Sequence, residues 1–368
     1  MTRLALVMIV KNEARCLGRC LNSVRKYVDR MIVLDTGSTD STVEIAKSFG
    51  AEVYHYEWQN DFAAARNAAL EKSDAAWNLV LDADEWLVSG FEALSEANLP
   101  SDPVEACPPL GCVRVTNWGR DADEPDRRNY LARVLPRGVR YEGRIHEQPE
   151  IGRRRVLLPI VLGHDGYTTE QLGRKKGRNE RILRAELKSN PENGFMWYQL
   201  GREHLAYDEL NEAADCMMRA YEIVKPHFRE RQEVVIYTLL LLRMVGRHEE
   251  ALALVDAEQN NWDQVPEFFF SVAELYLEWA SLNPEIARDV LLPVVEGAWL
   301  KCLQIGEQPH LNSSIEGSGS YRAASNLSNF YRILGYTEEA EKYQLASEEM
   351  RAAAMAAQGR GGSPVQLD

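Results

Sequence analysis

Cysteine is scarce in this chain: six in 368 residues, at Cys16, Cys20, Cys107, Cys112, Cys216 and Cys302, with no Cys-x-x-Cys pair. That excludes the disulfide scaffold on which small secreted domains depend. Cys16 and Cys20 are four apart on an expected helix, a spacing that suits packing better than metal ligation. The hydrophobic run at the amino-terminal end, Leu4 to Val10, is only seven residues long before Lys11-Asn12-Glu13. It is too short to cross a bilayer and has no small-residue cleavage site behind it, so it reads as a buried strand of a cytoplasmic protein. Attachment to a membrane face stays open. Positive charge is in deficit, with 42 basic against 56 acidic residues and a net charge of -14, which disfavours broad attraction to nucleic acid. Two catalytic patterns are missing as well. No Gly-x-Ser-x-Gly marks a hydrolase nucleophile, and no water-activating carboxylate pair marks a glycosidase. The position after the first strand reads Lys11-Asn12-Glu13-Ala14-Arg15, without a glycine until Gly18. That lacks the glycine-rich, lysine-bearing loop on which nucleotidyltransferases usually rely.

What is present is a globular composition, 45% hydrophobic and 27% charged, at a length that suits two ordinary domains. The first ninety residues alternate strand and helix patterns. Leu4–Val10 is a continuous apolar run, as in a strand covered on both faces. Leu17, Leu21, Val24 and Val28 recur on or near one face of a helix from about Glu13 to Tyr27. Strand Met31–Leu34, helix Thr42–Phe49, strand Ala51–Trp58, helix Phe62–Glu71 and strand Trp77–Leu81 follow, separated by the cap-rich turn Asp35-Thr36-Gly37-Ser38-Thr39-Asp40. These crossovers predict a parallel, Rossmann-like sheet with helices on both faces.

From about 90 to 165 the pattern loosens. Gly111–Thr116 and Tyr130–Leu135 read as strands among many arginines, including Arg127, Arg128, Arg133, Arg137, Arg140, Arg144 and Arg153 to Arg155. These make either a solvated surface or a wall facing an acceptor or a diphosphate. Helices follow His164. From Gly194 the chain carries the tetratricopeptide pattern: Trp197, Leu200, Gly201, His204, Ala213 and Ala220 fall at its spacing, with Pro226 near the end. His204 replaces the customary tyrosine and Met217 the customary phenylalanine. Gly246 to Ala251 repeats the turn and small-residue position, and Leu327, Tyr331, Gly335 and Ala340 suggest a further unit. The segments between, Phe268–Ala280 and Ala287–Leu303, are degenerate. The predicted division is residues 1–168, a helical linker with repeats at 169–355, and a frayed tail at 356–368.

The central chemical feature is Asp82-Ala83-Asp84, at the end of an apolar strand where open α/β sheets place ligands. Two carboxylates with one spacer serve a hard divalent cation and leave positions for phosphate oxygens. Asp-x-Asp occurs by chance in many loops, so its placement after the fourth strand matters more than its presence.

Four stretches together carry a resemblance: Met8-Ile9-Val10-Lys11-Asn12-Glu13, Asp35-Thr36-Gly37-Ser38-Thr39-Asp40, Asp61-Phe62-Ala63-Ala64-Ala65-Arg66-Asn67, and Asp82-Ala83-Asp84-Glu85. In order and spacing the N-terminal domain resembles family 2 glycosyltransferases of the GT-A fold. A subgroup with tetratricopeptide-like repeats also carries segments like Tyr141-Glu142-Gly143-Arg144-Ile145-His146-Glu147 and His164-Asp165-Gly166-Tyr167. The resemblance covers residues 3 to 225 well. It implies an α/β Rossmann-like GT-A domain followed by an all-helical repeat domain. It further implies an enzyme that moves a sugar, with inversion, from a nucleoside-diphosphate donor (a UDP-sugar is favoured) to a peptide, protein or saccharide acceptor. Mn²⁺ or Mg²⁺ would assist, neutralising the diphosphate as the sugar–phosphate bond breaks.

By the same resemblance the strand end at Val10, with Asn12 and Glu13, and the loop at Asp35 and Gly37 hold the nucleotide, Glu13 either touching it or capping the first helix. Asp35 meets the base or ribose, although as a turn former it needs no ligand. Thr36 stands where many relatives have a second aspartate. Arg66, with Asn67 beside it, reaches the nucleotide or its phosphates, since an arginine in the apolar stretch Phe62–Leu70 needs an anionic partner or solvent; a salt bridge to Asp61 or Glu71 is the plainer reading. Asp82 lies near ribose and metal, Asp84 binds the metal and Glu85 supports it. His164, opening a turn after the Val156–Leu162 run, completes the metal site, with His146 as second choice. The base that takes the acceptor's proton is Glu147, with Asp121 in reserve. A thiol acceptor would ask less of that base.

Two other functions fit parts of the pattern. One is a non-catalytic scaffold in which the repeats dock a protein partner beside a degenerate transferase domain, against which Arg66, Asp82, Asp84 and His164 all stand. The other is a nucleotidyltransferase, which the Lys11–Arg15 loop opposes. A DNA-modifying transferase would need the arginines between Arg127 and Arg155 to overcome the net acidity.

Overall fold

The computed structural model describes residues 2–95, 99, 107–117, 129–150, 152–165, 177–228, 230–309, 311 and 314–358. They fall into two compact units, the described residues through Asp165 in the first and those from Gly177 in the second.

The first unit is built on an eight-stranded sheet of order β3-β2-β1-β4-β7-β6-β10-β5. Strands β1 (Leu4–Val10), β2 (Arg30–Asp35), β3 (Glu52–His55) and β4 (Trp77–Val80) run parallel, joined by helices α1 (Leu17–Val24), α2 (Thr42–Ser48) and α3 (Phe62–Leu70). The alternation of β1 explains why it is apolar throughout. Leu4, Leu6, Met8 and Val10 face one core with Leu17 and Leu21, while Ala5 and Val7 face the other with Ala63 and Ala69. Asp61 caps α3, its Oδ1 accepting the Ala64 amide at 2.8 Å.

Two local expectations shift. Helix α1 begins at Leu17 rather than Glu13; the Glu13 and Ala14 amides donate to the Thr42 hydroxyl (2.8 Å) and the Asp40 carboxylate (3.2 Å). Residues 14–16 form a turn, and Asn12 adopts φ +57°. Strand β3 ends at His55, three residues short of Trp58.

Beyond β4 the sheet becomes mixed. Strand β7 (Asn129–Pro136) inserts antiparallel beside β4 and pairs antiparallel with β6 (Leu110–Asn117), which lies parallel to β10 (Arg155–His164). Strand β5 (Glu85–Ser89), not evident from the sequence pattern, closes the edge antiparallel to β10. Pairing of Glu85 with His164 brings the end of the sequence-predicted metal strand to the histidine. A small second sheet pairs β8 (Tyr141–Glu142) with β9 (Gln148–Pro149).

The second unit is helical among its described residues: α4 (Arg178–Ser189), α5 (Gly194–Ala206), α6 (Leu210–Ile223), α7 (Arg231–Met244), α8 (His248–Glu258), α9 (Pro266–Leu282), α10 (Leu292–Ile305), α11 (Tyr321–Leu334) and α12 (Thr337–Gln358). Consecutive helices pack as pairs, α5 on α6 and α11 on α12 most extensively. The small residues of the repeat pattern sit where the helices touch. A Cβ on Gly201 would meet Met217 Cγ at 3.0 Å and the Ala213 carbonyl at 3.2 Å, and Ala213 and Ala220 are fully buried. His204, in the customary tyrosine position, is buried and bonded through Nδ1 to Glu209 at 2.7 Å. Before α10 a π-helical turn spans Ala287–Leu291; Pro293 in the first turn of α10 offers no amide to the preceding carbonyls, which accounts for the shift in register. Among the described residues no helix is long and apolar enough to cross a membrane.

Candidate functional site

The parallel strands β1, β2 and β4 deliver their carboxyl ends to one edge of the sheet, where an open α/β fold offers backbone and loop groups to a ligand. The loop after β2 is stitched to the turn after β1. Thr36 donates both its amide (2.9 Å) and its hydroxyl (3.0 Å) to the Val10 carbonyl. The Asn12 amide donates to Ser38 Oγ at 3.0 Å, and Asn12 Oδ1 accepts the Thr39 amide at 2.7 Å. Asp35 is buried and accepts the Gly37 amide at 3.2 Å and the Ser38 amide at 3.1 Å. Burial alone would raise its pKa; the donors of Ser38 and Gly37, with His55 nearby, outweigh it and hold the carboxyl below its usual range. Gly37 has φ +102°, a conformation that lets its amide turn back to Asp35. Val10, Asn12, Glu13, Asp35 and Gly37 thus share one corner, and Asp35 acts at least as the former of its turn.

Across the corner from this turn lies a buried ionic network. Arg66, on α3, donates from Nε to Glu147 Oε1 at 2.5 Å and from Nη2 to Asp82 Oδ1 at 2.7 Å. Arg133, on β7, donates from Nη2 to Asp82 Oδ2 at 2.7 Å and to Glu85 Oε1 at 2.6 Å. Both arginines are buried, while the Asp82 side chain remains 35% exposed. The Asp82 amide donates to Glu85 Oε2 at 3.0 Å, and the Glu85 amide returns to the Asp82 carbonyl at 3.0 Å. Burial would raise the Asp82 pKa, but the charges and hydrogen bonds of Arg66 and Arg133 hold it far below the usual carboxylate range. Glu85 goes the other way: burial and the neighbouring Asp82 charge push it up despite Arg133. The Arg66 guanidinium lies over the Tyr141 ring at 5.4 Å, and Arg66 Nη1 and the Tyr141 hydroxyl are both buried without a hydrogen-bond partner. A cluster of this kind normally satisfies such atoms with water or a ligand.

Asn67, next to Arg66, anchors β8, donating to the Tyr141 carbonyl (2.9 Å) and accepting the Tyr141 amide (2.8 Å). Asp61, offered as a partner for Arg66, is instead the helix cap and lies 3.8 Å from Arg144. Arg66 also makes no bridge to Glu71, which pairs with Arg140 at 3.0 Å.

Asp84 stands apart from this network. Its Oδ2 lies 3.4 Å from His164 Nε2, and its carbonyl accepts the Asp165 amide at 3.3 Å. Burial favours neutral His164, but the hydrogen bond and charge of Asp84, with Glu85 and Asp82 behind, raise its pKa. Asp165 is clamped by Arg15 (2.9 Å) and Arg19 (2.6 Å) on the α1 side, which holds it down to about 2 against the effect of burial. Arg19 lies over the Trp86 ring at 3.7 Å. Among the described residues no three His, Cys, Asp or Glu side chains come together around a common point. Cys16 and Cys20, both buried, have thiols pushed up first by burial and are neutral hydrogen-bond donors, to Glu13 Oε2 and the Asp82 carbonyl.

Of the residues singled out in the sequence, the structure joins Arg66, Asp82, Glu85 and Glu147 in one network and Asp84 with His164 in a second. His146 has φ +52° in the turn that precedes Glu147. Asp121, with Arg127 and Arg128, lies outside the described residues. Arg133, named in the sequence only among the arginines of a possible wall, and Tyr141, quoted only within a family-like segment, emerge as site residues. The signal for Arg133 was there: an arginine within the apolar strand Tyr130–Leu135 raises the same demand for an anionic partner as Arg66.

Residues 5–91 match the family model described as Glycosyl transferase family 2. A TPR repeat-containing protein of Synechococcus elongatus is 34% identical over 267 residues, 68% of this chain and 64% of that protein. The SPbeta prophage-derived glycosyltransferase SunS of Bacillus subtilis is 29% identical over 251 residues, 64% of this chain and 58% of SunS. The matched part thus spans less than two thirds of either relative. Among solved structures, the crystal structure of MamA overlays 51% of this chain and 98% of its own at 17% identity, with a TM-score of 0.38, too loose to carry an argument. The family and sequence matches support assignment to a glycosyltransferase family, with a GT-A-like N-terminal sheet and a C-terminal helical region of TPR-like character.

Proposed function

We propose that this chain is an inverting transferase that moves a sugar from a nucleoside-diphosphate donor, a UDP-sugar foremost, to a peptide or saccharide acceptor. The observation that carries the reading is the meeting at one sheet edge of the Asp35 turn, at the end of β2, and Asp82-Ala83-Asp84, at the end of β4. One holds a nucleoside and the other a diphosphate with its cation. In domain terms the transferase would occupy residues 1–168, with a helical linker and TPR-like repeats over 169–355 and a tail at 356–368.

The donor set suits a divalent ion. Asp84 supplies a hard carboxylate oxygen and His164 an imidazole nitrogen, a pair that favours Mn²⁺ over Mg²⁺. When bound, the ion would offset charge on the departing diphosphate. Asp82 is the third candidate; its two oxygens accept from Arg66 and Arg133, and its exposed part would face the ribose. Arg66 and Arg133 keep Asp82 ionised and fixed. Glu147 is the proposed base: Arg66 occupies Oε1, which leaves Oε2 to accept the proton of the acceptor nucleophile. Asp121 is its reserve. The repeats would dock the peptide, glycan or a protein partner.

The test is a screen of UDP-, GDP- and dTDP-sugars with Mn²⁺ and, separately, Mg²⁺, read by calorimetry and mass spectrometry, on wild type and Asp84→Ala. Saturable, metal-dependent binding that disappears in the variant supports the reading. Folded protein that binds no nucleotide sugar with either metal sinks it.

A further inference from the structure

His164 is the last residue of β10. Where a strand ends, its ladder of hydrogen bonds runs out, so backbone pairing places a side chain there less firmly than inside the sheet. Here both chain neighbours of His164 are held by side chains as well. Before it, Gly163 pairs with Trp86 on β5, and the indole lies so close that a Cβ on Gly163 would meet it at 2.4 Å. After it, the Asp165 amide donates to the Asp84 carbonyl at 3.3 Å, and the Asp165 carboxylate takes three charge-assisted bonds. Arg15 donates from Nη1 to Oδ2 at 2.9 Å and from Nη2 to Oδ1 at 3.0 Å, and Arg19 from Nη2 to Oδ2 at 2.6 Å.

Arg19 makes contact on both sides of His164. Its guanidinium stacks on the Trp86 ring at 3.7 Å while it bonds Asp165. It stands on α1, whose Leu17, Cys20 and Leu21 are buried in the core, and Arg15 stands in the turn just before that helix. A core-anchored helix and its leading turn thus grip the residues that flank His164. Overall stability does not account for this grip. The Arg15 and Arg19 side chains are 39% and 43% exposed, and ion pairs so open to water contribute little to folding. What the bonds do supply is placement, since a guanidinium bound at both carboxylate oxygens fixes direction as well as distance.

We infer that Arg19, with Arg15 and Asp165, is a positioning residue. It holds the end of β10 so that His164 Nε2 meets Asp84 Oδ2, at 3.4 Å, and the two side chains form one metal-binding pair. The inference rests on the metal role proposed for Asp84 and His164. None of the three clamp residues is itself a ligand; they act through the strand end. Removing a group that orients a metal ligand typically lowers metal affinity by about ten- to a hundredfold, far beyond what a wet ion pair does for the fold.

The experiment records long-range proton–nitrogen NMR correlations of the histidine rings in the full chain at one alkaline pH, first metal-free and then with small additions of Mn²⁺. His164→Gln assigns the ring. Wild type is compared with Asp165→Asn, Arg19→Gln and Arg19→Lys. In metal-free wild type His164 should show a single tautomer, with Nε2 protonated toward Asp84. In Asp165→Asn and Arg19→Gln its nitrogens should move toward the averaged positions of a mobile imidazole. Mn²⁺ should broaden the His164 signals of wild type before those of other histidines, and that preference should vanish in Asp84→Ala. The two clamp variants should need about tenfold more Mn²⁺ for the same broadening. Arg19→Lys, which keeps the charge without the fork or the stack, should fall between. Thermal melts close to wild type separate lost placement from lost fold; if Arg19→Gln melts early, the isosteric Asp165→Asn decides. An Mn²⁺ response of His164 that is the same in wild type and in both clamp variants overturns the inference and leaves the metal reading standing. A wild-type His164 untouched by Mn²⁺ overturns both.

Discussion

Arg66 Nε and Glu147 Oε1 meet at 2.5 Å, although 81 positions of chain separate them, and the same guanidinium holds Asp82 through Nη2. One buried cation thus ties the end of β4 to the turn between β8 and β9. Removing it leaves the Glu147 and Asp82 carboxyl groups without their shared guanidinium, Asp82 keeping Arg133. Arg66→Ala should destabilise the first unit by about 3 kcal/mol, the lower end of the range for a broken buried pair because Asp82 keeps contact with solvent. Urea denaturation followed by tryptophan fluorescence measures this. A change under about 1 kcal/mol would mean that water replaces the guanidinium without cost.

Gly163 precedes His164 on β10, and a Cβ there would meet the Trp86 ring at 2.4 Å. The Arg19 guanidinium also stacks on this ring, at 3.7 Å, which limits the ring's freedom to move. Gly163→Ala should cost about 1–3 kcal/mol and alter the Trp86 fluorescence. The double variant Gly163→Ala with Trp86→Leu should recover part of that loss. Equal melting temperatures for wild type and Gly163→Ala would show that strand and ring are not in close contact.

Asn67 bonds both the amide and the carbonyl of Tyr141. Aspartate has nearly the same shape but cannot donate to the carbonyl. Asn67→Asp should therefore place a carboxylate oxygen against the Tyr141 carbonyl and cost about 2 kcal/mol, more than Asn67→Ser. Thermal melts of the two variants decide it; if serine proves the worse, the bond to the Tyr141 amide dominates.

Glu258 is buried and accepts from Arg231, from Trp262 Nε1 (3.0 Å) and from Asn261 Nδ2 (3.1 Å). Burial raises its pKa, but these donors win and set the folded value below the ordinary one of 4.5. A depressed carboxylate stabilises the fold above its unfolded pKa and loses that contribution as the pH falls toward the folded value. Glu258→Gln should cost about 2 kcal/mol at pH 7, with a smaller difference from wild type as the pH is lowered below about 4.5. Denaturant titrations at several pH values read this directly. A difference that grows in acid would reverse the assigned direction.

Much of the fold is written in local pattern. The continuous apolar run of Leu4 to Val10, the helix over Phe62–Leu70 and the small residues Gly201, Ala213 and Ala220 each express a constraint that a few neighbouring residues can state by themselves. So does the placement of Asp35 and Asp82-Ala83-Asp84 after apolar strands, because a parallel strand's carboxyl end is where its sequence turns polar. The antiparallel insertion of β7 beside β4 and the edge strand β5 were not legible, since strand pairing depends on partners far along the chain. For the same reason the sequence could demand an anion for Arg66 without naming it. Tertiary structure supplied Glu147 and Asp82, and it gave Arg133 the same task from another strand. Burial then decided the chemistry, for a charge deprived of water takes whichever opposite charge the fold brings within reach.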